Sequence, residues 1–195
     1  MPDAQLQLPG QRLWTRDEYE RAGELGLFRP DERLELIEGL ILRKTPQKSP
    51  HASGIRMTEE ALRAAFPSGH DVRGQLPLAL GEYSEPEPDV AVVSGSYRDY
   101  VNSHPVTAVL VVEVADSSLA LDRSTKASLY ARSGIPEYWI LNLVDRLLEV
   151  HRGPAAMAEQ PLDYHYRTVM RLTVEETVSP LAAPQAVIRV ADLLP

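Results

Sequence analysis

Short apolar runs alternate along the chain with polar and proline-rich breaks, and the period of each run predicts the element it forms. Thr15 to Glu18 reads T-x-x-E, a capping box in which hydroxyl and carboxylate satisfy the free amides of a helix start, and the helix is expected to end near Gly26. Residues 33–44, RLELIEGLILRK, alternate around Glu38-Gly39, the pattern of two short strands joined by a tight turn. Ser49 followed by Pro50 is a helix entry, because proline at the first helical position gives up no needed donor. Ile55, Ala61, Leu62 and Ala65 then recur at helical spacing as far as Phe66, and Pro67 ends the helix.

Three apolar runs follow, 72–80, 90–93 and 108–114, separated by GEYSEPEP and SGSYRDYVNSHP; each is predicted as a strand. DRSTKASLYARS, residues 122–133, predicts a helix stopped by Gly134 and Ile135-Pro136. Helical spacing puts Asp122, Lys126 and Tyr130 on one face of it. EYWILNL, a turn at Val144-Asp145-Arg146, and LLEVHR predict a second hairpin, with further strands at 164–172 and 186–190 and a loose loop at 153–161. There is no internal repeat.

At 195 residues and 44% apolar composition, the chain is long enough for one well-packed core, read as a single domain over 1–195 with residues 1–12 as a flexible tail. The absence of cysteine excludes disulfides and thiolate sites, so any metal is held by oxygen or imidazole ligands. No run approaches the roughly 20 apolar residues of a membrane span, and the first residues lack a basic start before an apolar core. A cytoplasmic protein with no membrane partner is expected. The net charge of -8 argues against a generally basic nucleic-acid-binding surface while leaving room for a local basic cleft.

The candidate chemistry sits where acids interrupt apolar runs. Asp89, after Pro88, opens one run, and Glu113 stands near the end of the next. Carboxylates beside valine and leucine cost several kcal/mol unless a cation or protons neutralise them. Two such acids, with Lys126 one helical turn into the helix that follows, make a set able to bind one or two Mg²⁺ ions and act on a phosphodiester. From the residues alone, Lys126 also reads as a surface lysine paired with Asp122 four positions earlier, and Asp116 as a loop turn residue that competes with Glu113 for the ligand role.

The ordered set ELIEG (35–39), His51 at a helix start, PDVAVV (88–93), VLVVEVADSS (109–118), D-x-x-x-K (122–126), Tyr130 and GIPEYWILN (134–142) resembles the Uma-type putative restriction endonuclease family, a branch of the PD-(D/E)xK nuclease superfamily. The resemblance covers about residues 12–152. It implies an α/β, restriction-endonuclease-like mixed β-sheet flanked by helices, with an N-terminal helix and β-hairpin. It also implies Asp89 and Glu113 as ligands of Mg²⁺, or of Mn²⁺ in its place, and DNA as the partner. The superfamily lysine would stand two residues after the second acid, where this chain has Ala115; Lys126, moved to the following helix, resembles the family's substitute. Glu35, His51 and Tyr130 are carried over as accessory residues, and Glu38 as a turn residue.

Glu137, Tyr138 and Trp139 match the family but read most simply as packing. The apolar content of the 137–152 hairpin suggests a homodimer, which would suit a nuclease that cuts two strands. Three readings of function stand at this point: a Mg²⁺-dependent endonuclease hydrolysing DNA, a catalytically inactive nuclease-fold module for binding or dimerisation, and a metal-dependent small phosphodiesterase.

Overall fold

The computed structural model describes residue 10 and residues 12–195, so the expected tail over 1–12 lies mostly outside the described residues. Helix α1 (Arg16–Glu24) starts on the expected capping box: Glu18 N–H donates to Thr15 Oγ1 at 3.2 Å and Thr15 N–H to Glu18 Oε2 at 3.1 Å. Strands β1 (Leu34–Ile37) and β2 (Leu40–Arg43) pair antiparallel around Glu38 and Gly39. Both turn residues have positive φ, 50° and 75°, as the two-residue turn that matches strand twist requires. Gly39 is also needed for space, since a Cβ there would lie 2.6 Å from the Cβ of Leu13.

Helix α2 (Ser49–Ala65) has proline in its first turn and stops at Phe66, one residue before Pro67. It buries Gly54, Ile55, Thr58 and Leu62. Gly54 lets the helix approach the sheet closely, because a Cβ at that position would meet Val114 Cγ1 at 3.2 Å.

The central sheet runs β3 (His70–Gly74), β4 (Val90–Ser94), β5 (Leu110–Ala115), β6 (Glu137–Asn142), β7 (Leu147–Ala156) and β8 (Tyr164–Leu172) in spatial order. Every neighbouring pair is antiparallel except β5 and β6. That parallel pair needs a crossover, supplied by α3 (Leu119–Leu121), a π-helical turn (Asp122–Lys126) and α4 (Ala127–Arg132) in unbroken succession. Short β9 (Thr177–Val178) and β10 (Ile188–Arg189) form a separate ribbon.

Residues alternate between the two faces of the sheet. Val90, Val92, Val112, Val114, Trp139 and Leu141 pack with Ile55 and Leu62 of α2. On the other face, Ala91, Val93, Val111, Ala115, Tyr138 and Ile140 pack with Leu129 and Tyr130 of α4. The architecture is the expected mixed α/β sheet flanked by helices.

Three expectations need correcting. The strand expected at 72–80 ends at Gly74; beyond it Leu78 and Leu80 are buried but bond the chain segment of Ser84 and Pro86 rather than a sheet neighbour. The loop expected at 153–161 is strand as far as Ala156, paired with β8 through Pro154↔Tyr166, because β7 is long and its partner supplies the missing hydrogen bonds. The apolar residues of the 137–152 hairpin are consumed inside the sheet, with Tyr138, Trp139, Ile140 and Leu141 all fully buried. That hairpin therefore gives no support to a homodimer.

Candidate active site

Asp89 is fixed by the strand that follows it and by its neighbour. Val90 pairs with Val112, and two residues further along β5 the Val114 N–H donates to Asp89 Oδ2 at 2.9 Å. The carboxylate thus takes a backbone donor that β4 no longer reaches. The proline- and glutamate-rich segment before it is pinned by the β1–β2 hairpin, through reciprocal backbone bonds between Leu36 and Glu85 and a 3.2 Å bond from Glu87 N–H to Glu35 Oε2.

Glu113 sits on β5 on the face opposite Val112 and Val114, which turns it toward the crossover. Its Oε1 accepts from Lys126 Nζ at 3.0 Å and from Tyr130 Oη at 2.7 Å. Lys126 Nζ also lies 3.2 Å from Glu35 Oε1. The π-helical turn brings this about: Ala127 N–H reaches back five residues to the Asp122 carbonyl, and this wider turn buries both Asp122 and Lys126. Tyr138 Oη, from β6, donates to the same Asp122 carbonyl at 3.2 Å.

His51, in the first turn of α2, places Nε2 3.4 Å from Asp89 Oδ2, while its Nδ1 is buried without a hydrogen-bond partner. The structure therefore brings together Asp89, Glu113, Lys126, Glu35, His51 and Tyr130. All but Tyr130 line one cavity of about 370 Å³. Lys126 is not the exposed partner of Asp122; it is 3% exposed and held by Glu113 and Glu35. Asp116 points away, paired with Lys48 at 3.1 Å, and Glu38 holds its turn position while bonding Arg132 and Ser84.

Sequence reasoning missed several members of this cavity, Asp122 and Lys44 among them. Asp122 is 1% exposed and accepts from Ser118 Oγ at 2.6 Å; its four-residue spacing from Lys126 is the available signal, but that spacing reads first as a surface pair. Lys44 also lines the cavity and bonds the Glu87 carbonyl, a contact that depends on a segment more than forty positions away in sequence.

The charges do not balance. Four carboxylates, Glu35, Asp89, Glu113 and Asp122, are each 3% exposed or less, and Lys126 is the one equally buried cation among them. Burial pushes Glu113 up to about 7 against the pull of Lys126, with Asp89 and Asp122 adding to the rise. Burial likewise carries Asp122 to about 6. Burial would raise Asp89 too, but the bond from His51 and the charge of Lys44 bring it below the ordinary aspartate value. Burial alone would lower Lys126; the surrounding Glu113, Glu35, Asp122 and Asp89 overcome it and raise the lysine above its ordinary value.

Among the described residues, no group of three or more His, Cys, Asp or Glu side chains is arranged to hold a metal ion. The donor set nevertheless suits Mg²⁺, which keeps several waters and binds one or two carboxylates together with substrate phosphate. Asp89 and Glu113 supply two oxygens of that kind on neighbouring strands, in a cavity with surplus negative charge.

A family model described as "Putative restriction endonuclease" matches residues 16–191, and the chain belongs to that family. The crystal structure of a putative nuclease from Anabaena variabilis has the same fold, with a TM-score of 0.68 and 17% sequence identity over 92% of this chain and 96% of that one. No curated protein matches the chain. Among the described residues no helix is long and apolar enough to cross a membrane.

Proposed function

We propose that the protein is a Mg²⁺-dependent endodeoxyribonuclease of the PD-(D/E)xK type, acting in the cytoplasm, with Mn²⁺ able to replace Mg²⁺. The observation that carries this reading is the excess of buried carboxylate over buried cation around Asp89 and Glu113, which a divalent ion would offset. Asp89 and Glu113 would hold the ion. Bound there, it would supply a Lewis acid that polarises the phosphate and makes water more acidic.

The side chains have separable tasks. Lys126, kept protonated by the carboxylates around it, is a fixed positive charge rather than a base, suited to the charge that develops on phosphorus. Tyr130 and Lys126 both bind Oε1 of Glu113, which orients the carboxylate and directs its second oxygen elsewhere. His51 orients Asp89 from the opposite side, and Glu35 fixes Lys126. Lys126 thus fills from a helix the role that the superfamily gives to the residue at position 115.

Purified protein is expected to nick or cut plasmid DNA with Mg²⁺ or Mn²⁺, and Asp89→Asn or Glu113→Gln is expected to lower the rate on the order of 100-fold or more. Intact DNA under all these conditions, with both variants indistinguishable from the parent, would refute the reading. Ala115 favours a second one, a nuclease fold kept for binding alone. Uncut DNA together with undiminished DNA binding in Asp89→Asn selects it.

A further inference from the structure

The open end of the β1–β2 hairpin carries cations that the proposed chemistry does not use. Lys44 N–H bonds the Arg33 carbonyl at 2.8 Å, and the adjacent pair in the ladder is Leu34 with Arg43. Arg33 stands just before β1, two residues from Glu35, and Glu35 faces Leu42 across the hairpin. Side chains alternate in direction along a strand, so Arg33 and Lys44 share the face that carries Glu35 into the site. Arg33, Arg43 and Lys44 all line the cavity over Asp89 and Glu113, Arg43 from the opposite face of the ladder, where it pairs with Leu34.

None of the three makes an ion pair among the described residues. Elsewhere among the described residues only Arg98, Arg146, Arg167 and Arg171 likewise meet no side-chain carboxylate, and Arg146 donates to the Pro195 oxygen; every other Lys and Arg meets a carboxylate. In a chain of net charge -8, cations without a carboxylate side chain are scarce, and three of the seven among the described residues stand at one cavity mouth. Lys44 gives its ammonium to the Glu87 carbonyl, a neutral acceptor, and acts on Asp89 and Glu113 through its charge without an ion-pair contact.

We propose that Arg33, Arg43 and Lys44 form a phosphate track, a cationic rim on the hairpin that binds the backbone of a DNA strand beside the phosphate being cleaved. The proposal rests on the nuclease reading and names the surface by which an acidic protein holds a polyanion. Acidic floor and basic rim divide the work: the floor would take the metal, and the rim neutralises the neighbouring phosphates, which carry affinity without sequence information.

Binding measured under chelation separates this proposal from the cleavage chemistry. Fluorescence anisotropy with a labelled DNA duplex in EDTA, repeated over a salt series, compares the parent with the triple variant R33Q/R43Q/K44Q and with R98Q/R167Q/R171Q, which removes the same charge elsewhere. The track variant is expected to bind on the order of 10-fold more weakly, with the slope of log K against log salt flatter by about 0.9 for each phosphate no longer neutralised. The distant triple is expected to bind like the parent. R33K/R43K, which keeps the charge, is expected to retain most of the affinity and excludes misfolding as the cause. Equal weakening in both triples, no weakening in either, or no DNA binding by the parent overturns the track. Binding through the track without metal-dependent cleavage would instead refute the nuclease reading and leave the track standing.

Discussion

At the scale of single residues, Lys126 gathers the most competing demands. It is buried, it touches two carboxylates, and the crossover helix holds it in place. Removing one partner of a buried ion pair leaves the other charge uncompensated, which typically costs about 3–5 kcal/mol. Lys126→Met is therefore expected to lower unfolding stability by about that much in urea titrations and to slow DNA cleavage by about 10²–10³-fold. A stable variant that cleaves at the parent rate would remove Lys126 from the chemistry.

Residue-scale electrostatics also set a pH dependence. Burial, and then the hydrogen bond and charge of Glu20, carry Glu85 from 4.5 up to about 8, while Glu113 reaches about 7. An acid whose folded pKa is raised binds its proton more tightly when folded, so stability falls as pH rises from the unfolded value through the folded one. His51 is raised in spite of its burial because Asp89 holds the imidazolium, and its contribution is likewise lost as pH rises past its ordinary value of 6.5. His151 works in the opposite sense, since burial lowers it to about 4, but that contribution is complete near its unfolded value of 6.5. Between about pH 6.5 and 8.5 the remaining contributions agree. The metal-free protein is expected to lose thermal stability across that window, and Glu85→Gln, which removes the group that titrates highest, is expected to flatten the loss. A melting temperature that rises with pH in EDTA would contradict this expectation.

At the scale of elements, what is legible in the sequence is whatever local chemistry decides. The capping box of α1, the proline entry of α2 and the Glu38-Gly39 turn all depend on residues within a few positions of one another, and each stands where expected. Gly39→Ala would meet both a positive φ and the Leu13 Cβ, so a loss of about 1–3 kcal/mol is expected in denaturant titration; an unchanged midpoint would show that the hairpin does not need this turn.

Elements whose hydrogen bonds come from distant partners are not legible in the same way. The segment after Gly74 is apolar like a strand, yet Leu78 and Leu80 donate to Pro86 and Ser84, and Ala79 to Pro105. Gly153 and Pro154 look like loop residues, but β8 pairs across them. The π-helical turn leaves no mark in the sequence apart from the spacing of Asp122 and Lys126, because a single extra residue in a turn does not disturb helical periodicity enough to show. That turn takes Lys126 off the helix surface and aims it at Glu113, so the acid pair and the lysine can be named from the sequence while their mutual contacts cannot.

At the scale of the whole molecule, the distribution of charge matters more than its sum. A net charge of -8 would repel DNA at long range, yet the cavity mouth concentrates free cations over buried acids. The strands that deliver Asp89 and Glu113 are adjacent in the middle of the sheet and covered on both faces. The site is thus built on strands buried in the middle of the sheet, with the hairpin as its accessible wall.

The central claim is that Asp89 and Glu113 share a divalent ion. Anomalous diffraction from crystals soaked in Mn²⁺ tests it most directly. A peak is predicted within about 2–2.5 Å of an oxygen from each carboxylate, absent from crystals of Asp89→Asn. No peak at the site, with Glu113 still engaged only by Lys126 and Tyr130 and Asp89 only by His51 and Val114, would contradict it.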